Sequence, residues 1–345
     1  MSYIILKFDD LSEETLESFK VAQKICDNYG AVSCFGLVGS SLLNPSEKYV
    51  SELRAIDKSG VEIWNHGYHH TDEEFSKEGY EEQKTSIVAT QQLMKKHLGK
   101  TATTFGSPHN NSTELTIQVL AENAPEINNY LFMADGAGRT NARQLVMRCN
   151  YEIKTGLIDL DYFRKEYNRI KKYPFFVMQG HPSFWGEGDF ERFDEMLNIL
   201  VKDGNSFITV EELGKISFPE YMDHTLEVEI DSLERFWESH SQIYFYGAGE
   251  IGREVLRYMS IREKKPSGFV VSDGRRTFND VCGIPVYELK EIVNNKDVGI
   301  IPTIIGKTHK EVFSDKALDD IDVWGASQPE FYDQIIDYIR YDLSR

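Results

Sequence analysis

No stretch of this chain carries the run of about 18 apolar residues that a membrane helix needs. Cysteine is scarce and scattered. Cys26, Cys34, Cys149 and Cys282 form no CxxC pair, which argues against a zinc ribbon or a disulfide framework and fits a reducing cytoplasm. Cations are outnumbered, with 38 Lys and Arg against 56 Asp and Glu. The resulting net charge of −18 repels nucleic acid and anionic lipid, though a local pocket could still accept a phosphorylated sugar. The opening MSYIILKFDD lacks a basic leader region and reads as a strand, not a signal peptide. Internal repeats and low-complexity segments are absent as well.

What is present is globular: 41% hydrophobic and 12% aromatic over 345 residues, enough for two domains. Residues 3–8 and 31–38 read as strands, and 12–29, with Leu16, Phe19, Ala22, Ile25 and Cys26 at helical spacing, as an amphipathic helix. The alternation continues with a helix at 46–58, a strand at 61–64, a long helix near 72–97, a strand near 102–105 and a helix from Thr113. A strand near 144–149, a helix over 159–172, a strand at 174–179 and a helix over 188–203 follow. Such alternation implies parallel βαβ units, in a (β/α) barrel or a doubly wound sheet, over residues 1–215. The acidic stretch 216–240 breaks the rhythm and reads as linker plus entry helix. A new unit is expected over 241–345.

Chemistry gathers at the predicted strand ends, where α/β folds build their sites. LKFDDLS puts Asp9 and Asp10 at the end of the first strand, with helix capping as their ordinary alternative. IWNHGYHH carries His66, His69 and His70 directly after another strand. His66 and His70, four apart, would share one face of a helical turn, and His69 competes as a partner. An Asp with two His leaves open coordination positions, the catalytic form of a zinc-type site. FFVMQGHPSFW places His181 at a further strand end, and TFGSPHNNS places His109 after a Gly/Pro turn, so five of the nine histidines fall in these three segments.

In these residues the chain resembles the polysaccharide deacetylases with the NodB homology domain, carbohydrate esterase family 4. Phe8-Asp9-Asp10 is similar to that family's T-F-D-D motif, His66-Gly67-Tyr68-His69-His70 to its H-[S/T]-x-x-H motif, and His181 to its late strand-end histidine. The resemblance covers roughly residues 1–215 and implies a distorted (β/α) barrel. It implies Asp10, His66 and His70 as ligands of a divalent transition metal, zinc first, with Asp9 as general base and His181 as general acid. Pro108, His109 and Asn110 would contribute substrate contacts and a backbone oxyanion donor, and Tyr68 and Trp185 are candidate sugar-stacking residues, with core packing the more ordinary explanation of each. The chain departs from the family where R-x-P-[YF] would stand: GSPHN keeps Pro108 but has Gly106 in place of the arginine that pairs with the base. Lys7 stands where Thr or Ser is usual, and Asp135 is the nearest match to the fourth motif's Asp.

A second constellation begins at 242. QIYFYGAGEIGREVL runs strand, Gly247-Ala248-Gly249-Glu250-Ile251-Gly252, helix, with Asp273 about 20 residues on; this is G-x-G-x-x-G in the context a dinucleotide fingerprint requires. About 105 residues suffice for half a dinucleotide fold. The unit also resembles small Rossmann-like domains of bacterial sugar-modifying enzymes, through Tyr246–Gly249, Asp273 and Gly283–Val286, which implies a nucleotide or sugar-nucleotide ligand, or a purely structural role.

The leading expectation is therefore a cytoplasmic, metal-dependent N-deacetylase of an amino-sugar precursor, nucleotide- or lipid-linked, of a bacterial surface polysaccharide. The alternatives are an NAD(P)-dependent oxidoreductase centred on the C-terminal unit and a non-catalytic sugar-binding or scaffold protein.

Overall fold

The computed structural model describes residues 1–221, 223–295, 297–304, 318, 321–325 and 329–345. The chain forms two compact units. One comprises Met1–Met133, Arg139–Phe218 and Ser344–Arg345, the other Ala134–Gly138 and Pro219–Leu343. Most of the acidic stretch lies in the second unit. Its helix, His224–Glu238, carries Leu226, Ile230, Leu233 and Trp237 at helical spacing, and these pack into the second unit's core.

In the first unit β1 (Tyr3–Leu11), β2 (Ser33–Leu37), β3 (Glu62–Asn65), β4 (Thr104–Phe105), β5 (Asn129–Leu131) and β6 (Arg143–Leu145) pair in that order, all parallel. A hairpin, β7 (Glu152–Lys154) and β8 (Leu157–Ile158), interrupts the series. Then β9 (Phe175–Gly180) pairs with β1 on the side away from β2, while β10 (Ser206–Phe207) adds to the start of β1. The curled sheet closes through the segment after β6: Val177 donates to the Met147 carbonyl at 3.0 Å and Cys149 donates to Val177 at 2.9 Å. Helices alternate with the strands, among them α1 (Leu16–Asn28), α2 (Glu47–Lys58), α3 (Tyr80–Leu98), α4 (Glu114–Asn123), α5 (Leu160–Ile170) and α6 (Glu187–Lys202).

Strand alternation decides what faces where. On β1, Phe8 faces the helices, 5.5 Å ring to ring from Phe193 of α6. Lys7 and Asp9, on the opposite face, point into the ring. There the Trp64 indole fills the space over two glycines: a Cβ built on Gly36 or Gly106 would lie 2.4 or 2.9 Å from it.

The second unit holds a sheet whose strands β11 (Gln242–Tyr246), β12 (Gly268–Val271), β13 (Asp280–Val281), β14 (Ile284–Glu288), β15 (Val298–Pro302) and β16 (Asp322–Val323) pair in the order 13-14-12-11-15-16. All pairs are parallel except β13 with β14. The unit expected over 241–345 includes positions outside the described residues. Among the described residues, no helix is long and apolar enough to cross a membrane.

Candidate active site

Adjacent strand residues normally point to opposite faces, so Asp9 and Asp10 should diverge. A bulge prevents it. Phe8 pairs with Phe35 and Leu11 with Leu37, so two residues of β1 oppose one of β2, and Asp10 takes a left-handed φ of 74°. Both carboxylates therefore open on one cavity of about 530 Å³, whose walls also include His70, His109, Gln179 and His181.

His66 and His70 reach Asp10 from the loop after β3, not from a helix. Gly67 at φ 75° and His70 at φ 58° turn the chain back on itself, and α3 begins only at Tyr80. The buried Glu74 carboxylate holds the turn by accepting the backbone N–H groups of Tyr68, His69 and His70 at 2.6, 3.1 and 2.7 Å. His70 Nε2 lies 2.6 Å and His66 Nε2 3.2 Å from Asp10 Oδ1. One ligand atom from each of the three residues lies within 4.8 Å of the others.

The tautomer supports an ion there. His66 Nδ1 is 2.8 Å from the Gly106 carbonyl, which can only accept, so that nitrogen carries the proton. With Nδ1 so committed, Nε2 is the nitrogen that faces Asp10 Oδ1, at 3.2 Å, and is placed to ligate an ion. Asp10 is held well below the usual carboxylate range: burial alone would raise it, and the two imidazoles outweigh that. Among the described residues this is the one cluster of three such side chains fit for a metal.

Asp9 lies beside the triad, its Oδ2 4.0 Å from His66 Nε2 and 3.9 Å from His181 Nε2. It accepts from Lys7 Nζ at 2.6 and 2.5 Å and from Gln179 Nε2 at 2.6 Å. The cation that Gly106 cannot supply thus comes from β1 itself. Burial holds the Lys7 ammonium below its ordinary range, against the pull of Asp9.

His181 ends β9. Its Nδ1 is 2.6 Å from Glu152 Oε2, and its backbone N–H donates to Glu152 Oε1 at 2.9 Å. Burial lowers the affinity of His181 for a proton, but Glu152 and Asp9 more than offset it and hold its pKa above the ordinary histidine value. Sequence reasoning missed Glu152 because it sits on a short hairpin with no recognisable motif. The weaker candidate, Asp135, belongs to the second unit and accepts from the Ala137 N–H at 3.2 Å.

The remaining candidates divide. His109 and Asn110 line the cavity on a 3₁₀ turn, with φ 55° and 53°, and Asn110 Nδ2 donates to Gln179 Oε1 at 3.0 Å. The Asn110 backbone N–H is already committed to Ser107 at 3.1 Å, and Pro108 is buried beneath the turn. His69 and Tyr68 line a different surface pocket with Glu78 and Glu82, because the turn at Gly67 swings them away. Trp185 is only 6% exposed, packed on Phe8, Phe190 and Phe193 with its Nε1 donating to Glu152 at 2.6 Å. The aromatic on the cavity wall is its neighbour Phe184, 62% exposed.

In the second unit Gly247 takes φ 116° and Gly252 packs so closely that its Cβ would lie 2.4 Å from the Gly247 carbonyl. Nothing lies within 4 Å of a Cβ on Gly249. Asp273 is exposed and accepts the Lys290 backbone N–H at 3.0 Å.

Residues 2–125 match the family model described as polysaccharide deacetylase. No curated protein matches the chain. Among solved structures, a family 4 acetyl xylan esterase from Clostridium thermocellum, in complex with a cobalt ion, is 16% identical, covers 61% of this chain and 90% of its own, and superposes with TM-score 0.47. A peptidoglycan N-acetylglucosamine deacetylase is 18% identical over 62% of this chain and 89% of its own, also at TM-score 0.47. A family 4 pseudoenzyme from Bacillus anthracis is 14% identical over 61% of this chain and 65% of its own, at TM-score 0.44. These likenesses are too distant to bear on what the chain does.

Proposed function

We propose that the first unit is a metal-dependent hydrolase that removes an acyl group from the nitrogen of an amino sugar. The observation that carries this reading is a single cavity in which Asp9 stands within 4.0 Å of both His66 and His181, beside the Asp10–His66–His70 cluster. Asp10, His66 and His70 would hold a divalent transition ion; the donor set suits zinc, cobalt, nickel or iron. Such an ion polarises an amide carbonyl and acidifies the attacking water. Asp9 takes the proton of that water. His181, its Nδ1–H fixed on Glu152, delivers a proton from Nε2 to the departing amine. Each transfer is of the kind that contributes about 10²–10⁴-fold.

Substrate contacts fall to groups on the cavity wall. Phe184 offers a ring face for a sugar, and Lys154 and Thr155 at the hairpin tip suit a phosphate-linked aglycone, nucleotide or lipid. Four free cysteines suit a reducing, cytoplasmic setting for such a precursor. The second unit we read as a Rossmann-like half-fold: its parallel strands follow the order 3-2-1-4-5, and Gly247 and Gly252 do what the first and third fingerprint glycines do.

The test is metal content together with acetate release from N-acetyl amino sugars, free and nucleotide-linked. About one transition metal per chain with metal-dependent acetate release is expected. Absence of metal uptake from added zinc or cobalt would overturn the reading.

A further inference from the structure

Among the described residues Lys7 is the only lysine shut wholly inside the protein, with no exposed surface. Burying an ammonium is costly unless it is paired. Its Nζ meets both oxygens of Asp9, and the rings of Trp64 and Phe132 flank it with centroids at 5.1 and 5.2 Å. Arg148, whose guanidinium stands 4.3 Å from the Phe132 ring, brings a second positive charge against Lys7. Asp9 is the group that makes this lysine tolerable there.

The arrangement is written into the strand. Lys7 and Asp9 are two apart on β1 and so share a face, and Gln179 is in register with Lys7 on β9. Gln179 donates to Asp9 Oδ2 at 2.6 Å while accepting from Asn110 at 3.0 Å, so the carboxylate is gripped from two strands and a loop. A side chain at Gly36 or Gly106 could not supply the cation, because Trp64 occupies the space above both.

We propose that Lys7 is the positioning residue for Asp9, fixing its carboxylate at the bulge so that Oδ2 faces the cavity between His66 and His181. The inference rests on Asp9 serving as the base of the proposed hydrolase. Lys7 acts through Asp9, the group to which its ammonium donates its hydrogen bonds.

The experiment uses the full chain with Lys7→Met, Asp9→Asn and the double variant. Thermal unfolding of the metal-free proteins reads the pairing without reference to any substrate. Each single change leaves a buried group without its partner and lowers the midpoint, and the double variant recovers most of the loss. Acetate release from N-acetyl amino sugars, free and nucleotide-linked, reads the function: Lys7→Met lowers kcat on the order of 100-fold with KM unchanged, as displacement of a reacting group does. The double variant is no slower than Asp9→Asn alone, as expected of residues acting as a unit. Additive losses of stability, or full kcat in Lys7→Met beside a dead Asp9→Asn, would overturn the proposal. If the unaltered protein releases no acetate, the hydrolase reading fails, and the unfolding cycle still decides whether Lys7 answers to Asp9.

Discussion

Glu152 grips His181 twice, with Oε2 2.6 Å from the ring Nδ1 and Oε1 accepting the backbone N–H at 2.9 Å. The ring is thereby oriented with Nε2 toward the cavity, and its pKa is raised above the ordinary histidine value despite burial, with Glu152, Asp9 and Asp10 all contributing negative potential. A general acid must start protonated, so a raised pKa extends activity to higher pH. Glu152→Gln removes one of these charges and moves the alkaline limb of the kcat–pH profile to lower pH, so that kcat above neutrality falls while the acid side changes little. A limb that stays in place in Glu152→Gln would show that some other group sets it.

Metal retention separates the three histidines of the turn. His66→Ala and Asp10→Ala should each remove about one bound transition metal per chain, whereas His69→Ala should keep it, since His69 points into a separate surface pocket. Elemental analysis of the purified proteins checks this directly. Loss of metal in His69→Ala would mean that the turn rearranges on binding.

Glu74 carries a less obvious dependence. It touches no candidate ligand atom, yet its carboxylate ties the backbone N–H groups of residues 68–70 and so fixes where His70 points. Outer-shell changes typically cost on the order of 10–100-fold in metal affinity. Glu74→Gln should fall in that range when titrated with zinc against a chelator, with the fold retained by circular dichroism.

How much of this was legible in the sequence depended on whether a residue's role was local. Most strands and helices of the first unit follow from hydrophobic periodicity, though β5, the β7–β8 hairpin and β10 do not, and Asp9, Asp10, His66, His70 and His181 stand out because they fall at or just after expected strand ends. Their convergence was not legible in detail: the helical-face argument for His66 and His70 was wrong in geometry, since Gly67 and His70 form a left-handed turn instead. Glu152 was missed because its partner His181 lies far away in sequence and its hairpin carries no motif, and Lys7 because a lysine two residues from Asp9 is ordinarily assigned to the surface. Trp185, a stacking candidate in the sequence, is buried, and Phe184 lines the cavity instead. Adjacent in sequence, they face opposite ways, and only packing tells which ring is buried.

Phe184 as a sugar platform makes a kinetic prediction. Losing one aromatic face is worth about 0.5–1.5 kcal/mol, so Phe184→Ala should raise KM by roughly 2–12-fold with kcat little changed. Trp185→Ala, by contrast, opens the core and strands Glu152, so it should lower the unfolding midpoint as well as kcat. Equal effects of the two substitutions on KM alone would remove Phe184 from the binding surface.

The three glycines of the second unit divide structure from ligand binding. A Cβ at Gly252 would lie 2.4 Å from the Gly247 carbonyl and 2.9 Å from Phe269, so Gly252→Ala overpacks the helix–strand junction and should cost about 1–3 kcal/mol of stability. At Gly249 nothing lies within 4 Å and φ is −90°, so Gly249→Ala fits without strain and should leave the unfolding midpoint unchanged. A pyrophosphate approaching the backbone at this turn would meet the new methyl group. If the unit binds a nucleotide, calorimetry with a nucleoside diphosphate should detect it in the native chain and show at least a tenfold loss in Gly249→Ala. Binding that survives Gly249→Ala would place the nucleotide away from the glycine turn. A native chain that binds none would leave the glycines as packing residues only, Gly247 for its turn and Gly252 for its contact with Phe269.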